Sequence, residues 1–110
     1  MRTYKQIEAK TRLLKSPQMV RAEISGPFGV HRTIDGIGEF KGTWTATHVR
    51  TGYALAVGFP TKAATMKTVK AVLAAFPDKW DADTTAAIYM GFSREEKRRI
   101  KDILGEGMKP

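Results

Sequence analysis

From residue 39 to residue 59 the apolar side chains recur at every second position, and beyond Pro60 they recur at every third or fourth. Phe40, Trp44, Ala46 and His48 share one face of an extended strand, and Lys41, Thr43, Thr45 and Thr47 share the other. Tyr53, Leu55, Val57 and Phe59 then alternate with Ala54, Ala56 and Gly58, so Glu39–Phe59 reads as a β-hairpin. A three-residue loop, Arg50-Thr51-Gly52, sets the bulky return residues against the threonines. A four-residue loop, Val49–Gly52, pairs His48 with Tyr53, Ala46 with Leu55 and Trp44 with Val57. The second register gathers the large apolar groups on one face and is the one expected. It leaves Thr43, Thr45, Thr47, Ala54, Ala56 and Gly58 on a face expected to be solvated, in part covered by a helix.

Thr61 is placed to cap a helix over Thr61–Phe76, which Pro77 ends. Met66, Val69, Leu73 and Phe76 form its apolar stripe, while Lys62, Lys67 and Lys70 point elsewhere. Upstream, Thr3-x-x-Gln6 has the form of a capping box, and Tyr4, Ile7, Thr11 and Leu14 continue at helical steps; a first helix is expected from Tyr4 to Lys15. Val20, Ala22 and Ile24 mark a strand ending at Ser25-Gly26-Pro27, and a second strand spans Phe28–Ile34. Asp35-Gly36 suits a two-residue hairpin turn into the third strand, with Gly38 or Gly42 marking a bulge. After Pro77 an aspartate is expected to cap a short helix, Thr84–Met90, with Trp80 anchoring the loop. Ser93-x-x-Glu96 opens a last helix, Arg94–Leu104, closed by Gly105.

The resulting expectation is an α+β fold: a four-stranded antiparallel meander with a helix packed on one face, an N-terminal helix and two C-terminal helices. One domain covers residues 1–110, with 1–3 and 106–110 frayed.

Composition fits a globular chain, with 42% hydrophobic and 27% charged residues. No apolar run is long enough to cross a bilayer and Met1 is not followed by a signal-peptide pattern, so no membrane partner is expected. The absence of cysteine agrees with a cytoplasmic setting. The net charge of +8 is uneven: residues 1–21 carry +5, residues 22–93 carry +1 and residues 94–110 carry +2.

That imbalance makes phosphate the natural partner. The expected function is a non-enzymatic module that binds nucleic acid mainly through the backbone, using Arg2, Lys5, Lys10, Arg12, Lys15 and Arg21. Arg94, Arg98 and Lys101 contribute if the two ends converge. The alternative is a protein-binding inhibitor or adaptor, such as a phage or mobile-element counter-defence protein, docking its basic surface on an acidic face of a host nucleic-acid-processing enzyme.

Other chemistry finds little support. The last two helices, joined by Gly91-Phe92-Ser93, have the outline of a helix-turn-helix, but Glu95, Glu96 and Asp102 oppose phosphate. Phe40, Trp44, Tyr53 and Phe59, near Lys41, Arg50 and Lys62, imitate a base-stacking platform yet are better core residues. His31 and His48, with Asp35 or Glu39, sketch an acid–base pair that no spacing joins. Asp78, Asp81 and Asp83 lack the glycine and terminal glutamate of a calcium loop. No metal, cofactor or catalytic residue is expected.

Overall fold

The computed structural model describes residues 2–10, 16–34 and 39–109, with the backbone alone for 39–41. Five strands, β1 (Tyr4–Ala9), β2 (Gln18–Ser25), β3 (Phe28–Ile34), β4 (Glu39–His48) and β5 (Ala54–Phe59), pair antiparallel in sequence order. Three helices follow: α1 (Lys62–Ala75), α2 (Thr85–Met90) and α3 (Arg94–Gly107). The fold is α+β, but the sheet has five strands rather than four, and every described helix is C-terminal to it.

The expected N-terminal helix is therefore a strand over its described part; residues 11–15, including Arg12 and Lys15, lie outside the described residues. Tyr4, Ile7, Thr11 and Leu14 satisfy a helical step, but Ile7 and Ala9 also satisfy an alternating one. Pairing with β2, from Tyr4 opposite Glu23 to Ala9 opposite Gln18, decides between them by burying Ile7 and Ala9 with Val20 and Ala22. Thr3 caps nothing; its carbonyl accepts the Ile24 N–H at 2.8 Å.

The β4–β5 loop is the four-residue one, with the His48 N–H donating to the Tyr53 carbonyl at 2.9 Å and Gly52 at φ 78°. The pairs expected further along do not form. Two irregularities in β5 shift the register, so Ala46 faces Ala56 and Trp44 faces Phe59. Gly58, at φ 102°, adopts backbone that an L side chain disfavours. Between β3 and β4 the register also jumps, from Trp44 opposite Arg32 to Phe40 opposite Thr33, passing over residues 41–43 of β4, Gly42 among them. The Asp35-Gly36 turn and Gly38 lie outside the described residues.

The sheet curls until the Lys10 N–H donates to the Gly52 carbonyl at 2.7 Å across its open side. Part of the threonine face, expected to be solvated, is thereby enclosed: Ala54 and Gly58 stay exposed, while Thr45 and Thr47 are buried, as is His31. Their polar atoms find one another. His31 Nε2 is 2.7 Å from Thr47 Oγ1, Thr33 Oγ1 is 2.7 Å from Thr45 Oγ1, and the Thr43 hydroxyl donates to Thr33 at 2.8 Å. Because His31 Nδ1 meets the Arg32 carbonyl at 2.7 Å, that nitrogen carries the proton and Nε2 accepts from Thr47.

The outer face of the sheet holds the main core, where Phe28, Val30, Ala46 and Phe59 meet Val69, Val72, Phe76, Trp80 and Phe92. Thr61 caps α1, its Oγ1 accepting the Ala64 N–H at 3.0 Å. The helix's buried face is rotated from the expected stripe: Thr65, Thr68, Val69 and Val72 are buried, while Met66 and Leu73 pack against the core only in part. Burying the threonines is cheap because Thr65 and Thr68 donate to the carbonyls of Thr61 and Ala64, both at 2.8 Å.

Trp80 ties the C-terminal segment to the sheet. Its ring lies 4.9 Å from Phe28 and 5.5 Å from Phe92, and its indole N–H donates to the Phe76 carbonyl at 2.7 Å. Its carbonyl accepts from His48 Nε2 at 2.8 Å, which leaves Nδ1 to accept from the Thr51 hydroxyl at 3.0 Å. The cap of α2 is Thr84, not an aspartate; Asp81 and Asp83 are both held by Arg50. At α3 the Ser93–Glu96 capping box forms, and the helix runs beyond the expected stop at Gly105 to Gly107. It continues because its last turn packs on α1, where a Cβ on Gly107 would stand 1.8 Å from Thr68 Oγ1.

Two glycines of one helix should respond oppositely in urea denaturation. Gly105→Ala meets open space and should stabilise by about 1 kcal/mol through helix propensity. Gly107→Ala collides with Thr68 and should destabilise by roughly 1–3 kcal/mol. His48→Phe keeps an aromatic ring but leaves the Trp80 carbonyl unpaired, and should cost about 1–3 kcal/mol in the same measurement.

Candidate nucleic-acid interface

The outer face of the sheet extends beyond the first turn of α1, and there it is polar and basic. Tyr4 lies opposite Glu23, and Arg32 lies opposite Trp44. Strand alternation puts Arg21 on the same side as Glu23. The N-terminus of α1 brings Lys62 into this row.

The side chains interleave. Arg21 sits 4.8 Å from the Tyr4 ring centre and Lys62 4.9 Å from it. Lys62 is also 5.9 Å from the Trp44 ring, over which Arg32 lies at 4.7 Å. The order is Arg21, Tyr4, Lys62, Trp44, Arg32, three cations separated by two rings. Such contacts contribute about 0.5–1 kcal/mol each at exposed sites, and they hold long side chains in defined places.

Glu23 is the acid beneath this row. Its Oε1 accepts from Lys62 at 2.9 Å and from the Tyr4 hydroxyl at 3.1 Å, while Lys62 also donates to the Tyr4 oxygen at 2.8 Å. The hydrogen bond from Lys62, reinforced by that from Tyr4, outweighs desolvation and holds the Glu23 carboxyl below the usual carboxylate value. The hydrogen bond to Tyr4, followed by that to Glu23, raises the Lys62 ammonium above its own.

Beside the row opens a groove of about 820 Å³, lined by Arg2, Lys62, Lys67 and Lys70, with Ala63 and Met66 between them. Glu23 is the one carboxylate among its lining residues, and Lys62 already neutralises it. The first turn of α1 contains no acid, so the positive end of the helix dipole adds to the field.

The structure thus brings Arg2 and Arg21 into one region and adds Arg32, Lys62, Lys67 and Lys70, which sequence reasoning did not name as binding residues. Lys62, Lys67 and Lys70 were visible as cations off the apolar stripe of their helix; the placement of Arg32, Tyr4 and Trp44 depends on strand register. Lys5 alternates to the opposite face of β1. Lys10 lies six residues along from Tyr4, roughly 20 Å at strand rise, over the Tyr53 ring at 5.6 Å. Arg94, Arg98 and Lys101 are exposed on α3, and no described contact joins them to Arg2 or Arg21. The helix-turn-helix outline has Phe92 of its turn buried against Phe76 and Trp80.

No protein-family model, curated protein or solved structure matches the chain.

The remaining candidates do not assemble as sketched. His31 and His48 lie on opposite faces of the sheet, each with both ring nitrogens engaged, so they share no acid–base centre; Asp35 and the Glu39 side chain lie outside the described residues. Phe59 is buried, and Trp44 packs partly on the core. Among the described residues no group of His, Cys, Asp or Glu could hold a metal ion, and no helix is long and apolar enough to cross a membrane.

A lowered Glu23 pKa stabilises the fold above the ordinary value of 4.5, and that contribution disappears as the pH falls through the lower, folded-state value. Thermal unfolding followed from neutral pH into acid should therefore fall less steeply for Glu23→Gln than for the wild type. Parallel curves would show that the Tyr4–Glu23–Lys62 cluster does not contribute.

Proposed function

We propose that the protein binds nucleic acid through the phosphate backbone, with Arg2, Arg21, Arg32, Lys62, Lys67 and Lys70 as the contacting groups. The observation that carries this reading is the gathering of Arg2, just ahead of β1, with Lys62, Lys67 and Lys70 of α1 around a groove whose acid is already paired, beside Arg21 of β2 and Arg32 of β3. Arg2, Arg21, Lys67 and Lys70 make no ion pair among the described residues, and such cations gain from releasing the counterions of a polyanion.

The interleaved rings favour contact with backbone over contact with bases. Cations lie against both Tyr4 and Trp44, so these rings orient charge instead of offering bare stacking platforms. The Arg21 guanidinium, stacked on the Tyr4 ring, can still present its N–H edge to a phosphate and donate two parallel hydrogen bonds. Binding should accordingly tolerate changes of sequence.

Fluorescence anisotropy with labelled duplex and single-stranded oligonucleotides tests this. Affinity should fall with salt at a log–log slope of about −4 to −5 on duplex, as for five or so neutralised phosphates, and vary little with base sequence. The Lys67→Glu, Lys70→Glu double variant should lower the magnitude of that slope by about 2. Reversal of Arg94 and Arg98 should weaken binding less. The absence of binding at low salt, or equal losses from the two double variants, would overturn the reading.

A further inference from the structure

A second surface shares the positive charge of the basic groove but sets it around an apolar floor. Between the β4–β5 turn and helices α2 and α3 lies a cleft of about 280 Å³, with Phe28, Leu55, Trp80, Phe92 and Ile100 among its walls. Small-ligand pockets begin at roughly 300 Å³, so this cleft has the size for one or two anchoring side chains. None of its lining residues is acidic. Its one buried titratable group, His48, already directs both ring nitrogens to internal partners, so this side chain has no spare hydrogen bond for a base edge or a polar cofactor.

The rim has a different character. On the strand side Tyr53 is 44% exposed, with Lys10 above its ring; on the helix side Tyr89 is 63% exposed, with Lys97 stacked 3.7 Å from its ring centre. Neither lysine makes an ion pair among the described residues. Arg94 and Lys101 each lie within one helical turn of Lys97 and are exposed. Helix α2 has no buried residue, and its Met90 is 82% exposed. Exposed aromatic side chains such as Tyr53 and Tyr89 around an apolar cleft are characteristic of protein-docking surfaces.

We propose that this cleft docks a short acidic segment of a partner protein, which inserts one or two aromatic or branched aliphatic anchors between α2, α3 and the β4–β5 turn. Charge selects the occupant. A cationic rim around an apolar floor complements carboxylates flanking a hydrophobic anchor, the pairing that gives fast and specific association. A second copy of this chain is a poor occupant, because its net charge is +8 and two of its acids, Asp81 and Asp83, are already held by Arg50. The proposal does not depend on the nucleic-acid reading.

The probe is a short synthetic peptide of aspartate, glutamate and serine with a tryptophan and a leucine one helical turn apart. Controls replace both anchors by serine, or every acid by lysine. Binding is followed by ¹⁵N–¹H chemical-shift perturbation and titration calorimetry. The acidic anchored peptide should bind and shift the amides of α2 and the first half of α3. Loss of the anchors, Tyr89→Ser and Lys97→Glu should each weaken it by about tenfold; both substitutions are on partly or wholly exposed side chains, and thermal melting checks that the fold persists. No binding at millimolar peptide, equal binding of the anchor-free peptide, or an unchanged affinity in Lys97→Glu would overturn the proposal. So would displacement of the peptide by duplex DNA, which would place it on the basic groove. Binding of anilinonaphthalene sulfonate without binding of the peptide would also overturn it, in favour of a small-molecule cleft.

Discussion

A buried hydrogen bond from His48 Nε2 to the Trp80 carbonyl joins the two halves of this fold. His48 is the last residue of β4, and Trp80 belongs to the loop that leaves α1, so the bond crosses from sheet to helices, buried beside the exposed ion pairs of Arg50 with Asp81 and Asp83. It also fixes the imidazole tautomer, which in turn orients Thr51 and the β4–β5 turn. The aromatic rings around it, from Phe28 through Trp80 to Phe92 and Phe76, make the same connection by packing. Both candidate surfaces depend on this joint. It holds α2 and α3 against the β4–β5 turn, forming the apolar cleft, and it sets the far end of α1, whose near end forms the basic groove.

The sheet solves a complementary problem. A five-stranded meander of short strands has two faces to cover and only one helical layer. Curling lets the second face cover itself, with an apolar patch of Ile7, Ala9, Val20 and Ala22 beside a network of threonines and His31. Threonine serves there because its methyl group packs while its hydroxyl finds another hydroxyl or an imidazole, so few polar groups are buried without a partner.

Much of this was legible in the residues. Gly52 and the alternation on either side of it specified the β4–β5 loop, and Ser93 with Glu96 specified the start of α3, because both signals act within a few residues. The first segment was misread because Tyr4, Ile7 and Ala9 are too few apolar positions to separate a period of two from one of 3.6. Only its pairing with β2, a long-range contact, settles the matter. The rotated face of α1 was hidden for a different reason: Thr65 and Thr68 read as polar, yet their hydroxyls return to the helix backbone and leave their methyl groups to the core. Of the candidate site, Arg2 and Arg21 stood out by charge. Tyr4, Arg32 and Trp44 did not, since their adjacency is a property of cross-strand register.

The irregularities in β5 bear on how this chain coexists with copies of itself. β5 ends the sheet, and a straight final strand with half-exposed Val57 would present an unpaired row of amides and carbonyls to any passing β-strand. Two register shifts and the left-handed Gly58 break that row into pieces too short and too twisted for continuous pairing. A feature that first looks like imperfect hairpin geometry thus protects against edge-to-edge aggregation, and does so without placing a charge in a strand that also borders the apolar cleft.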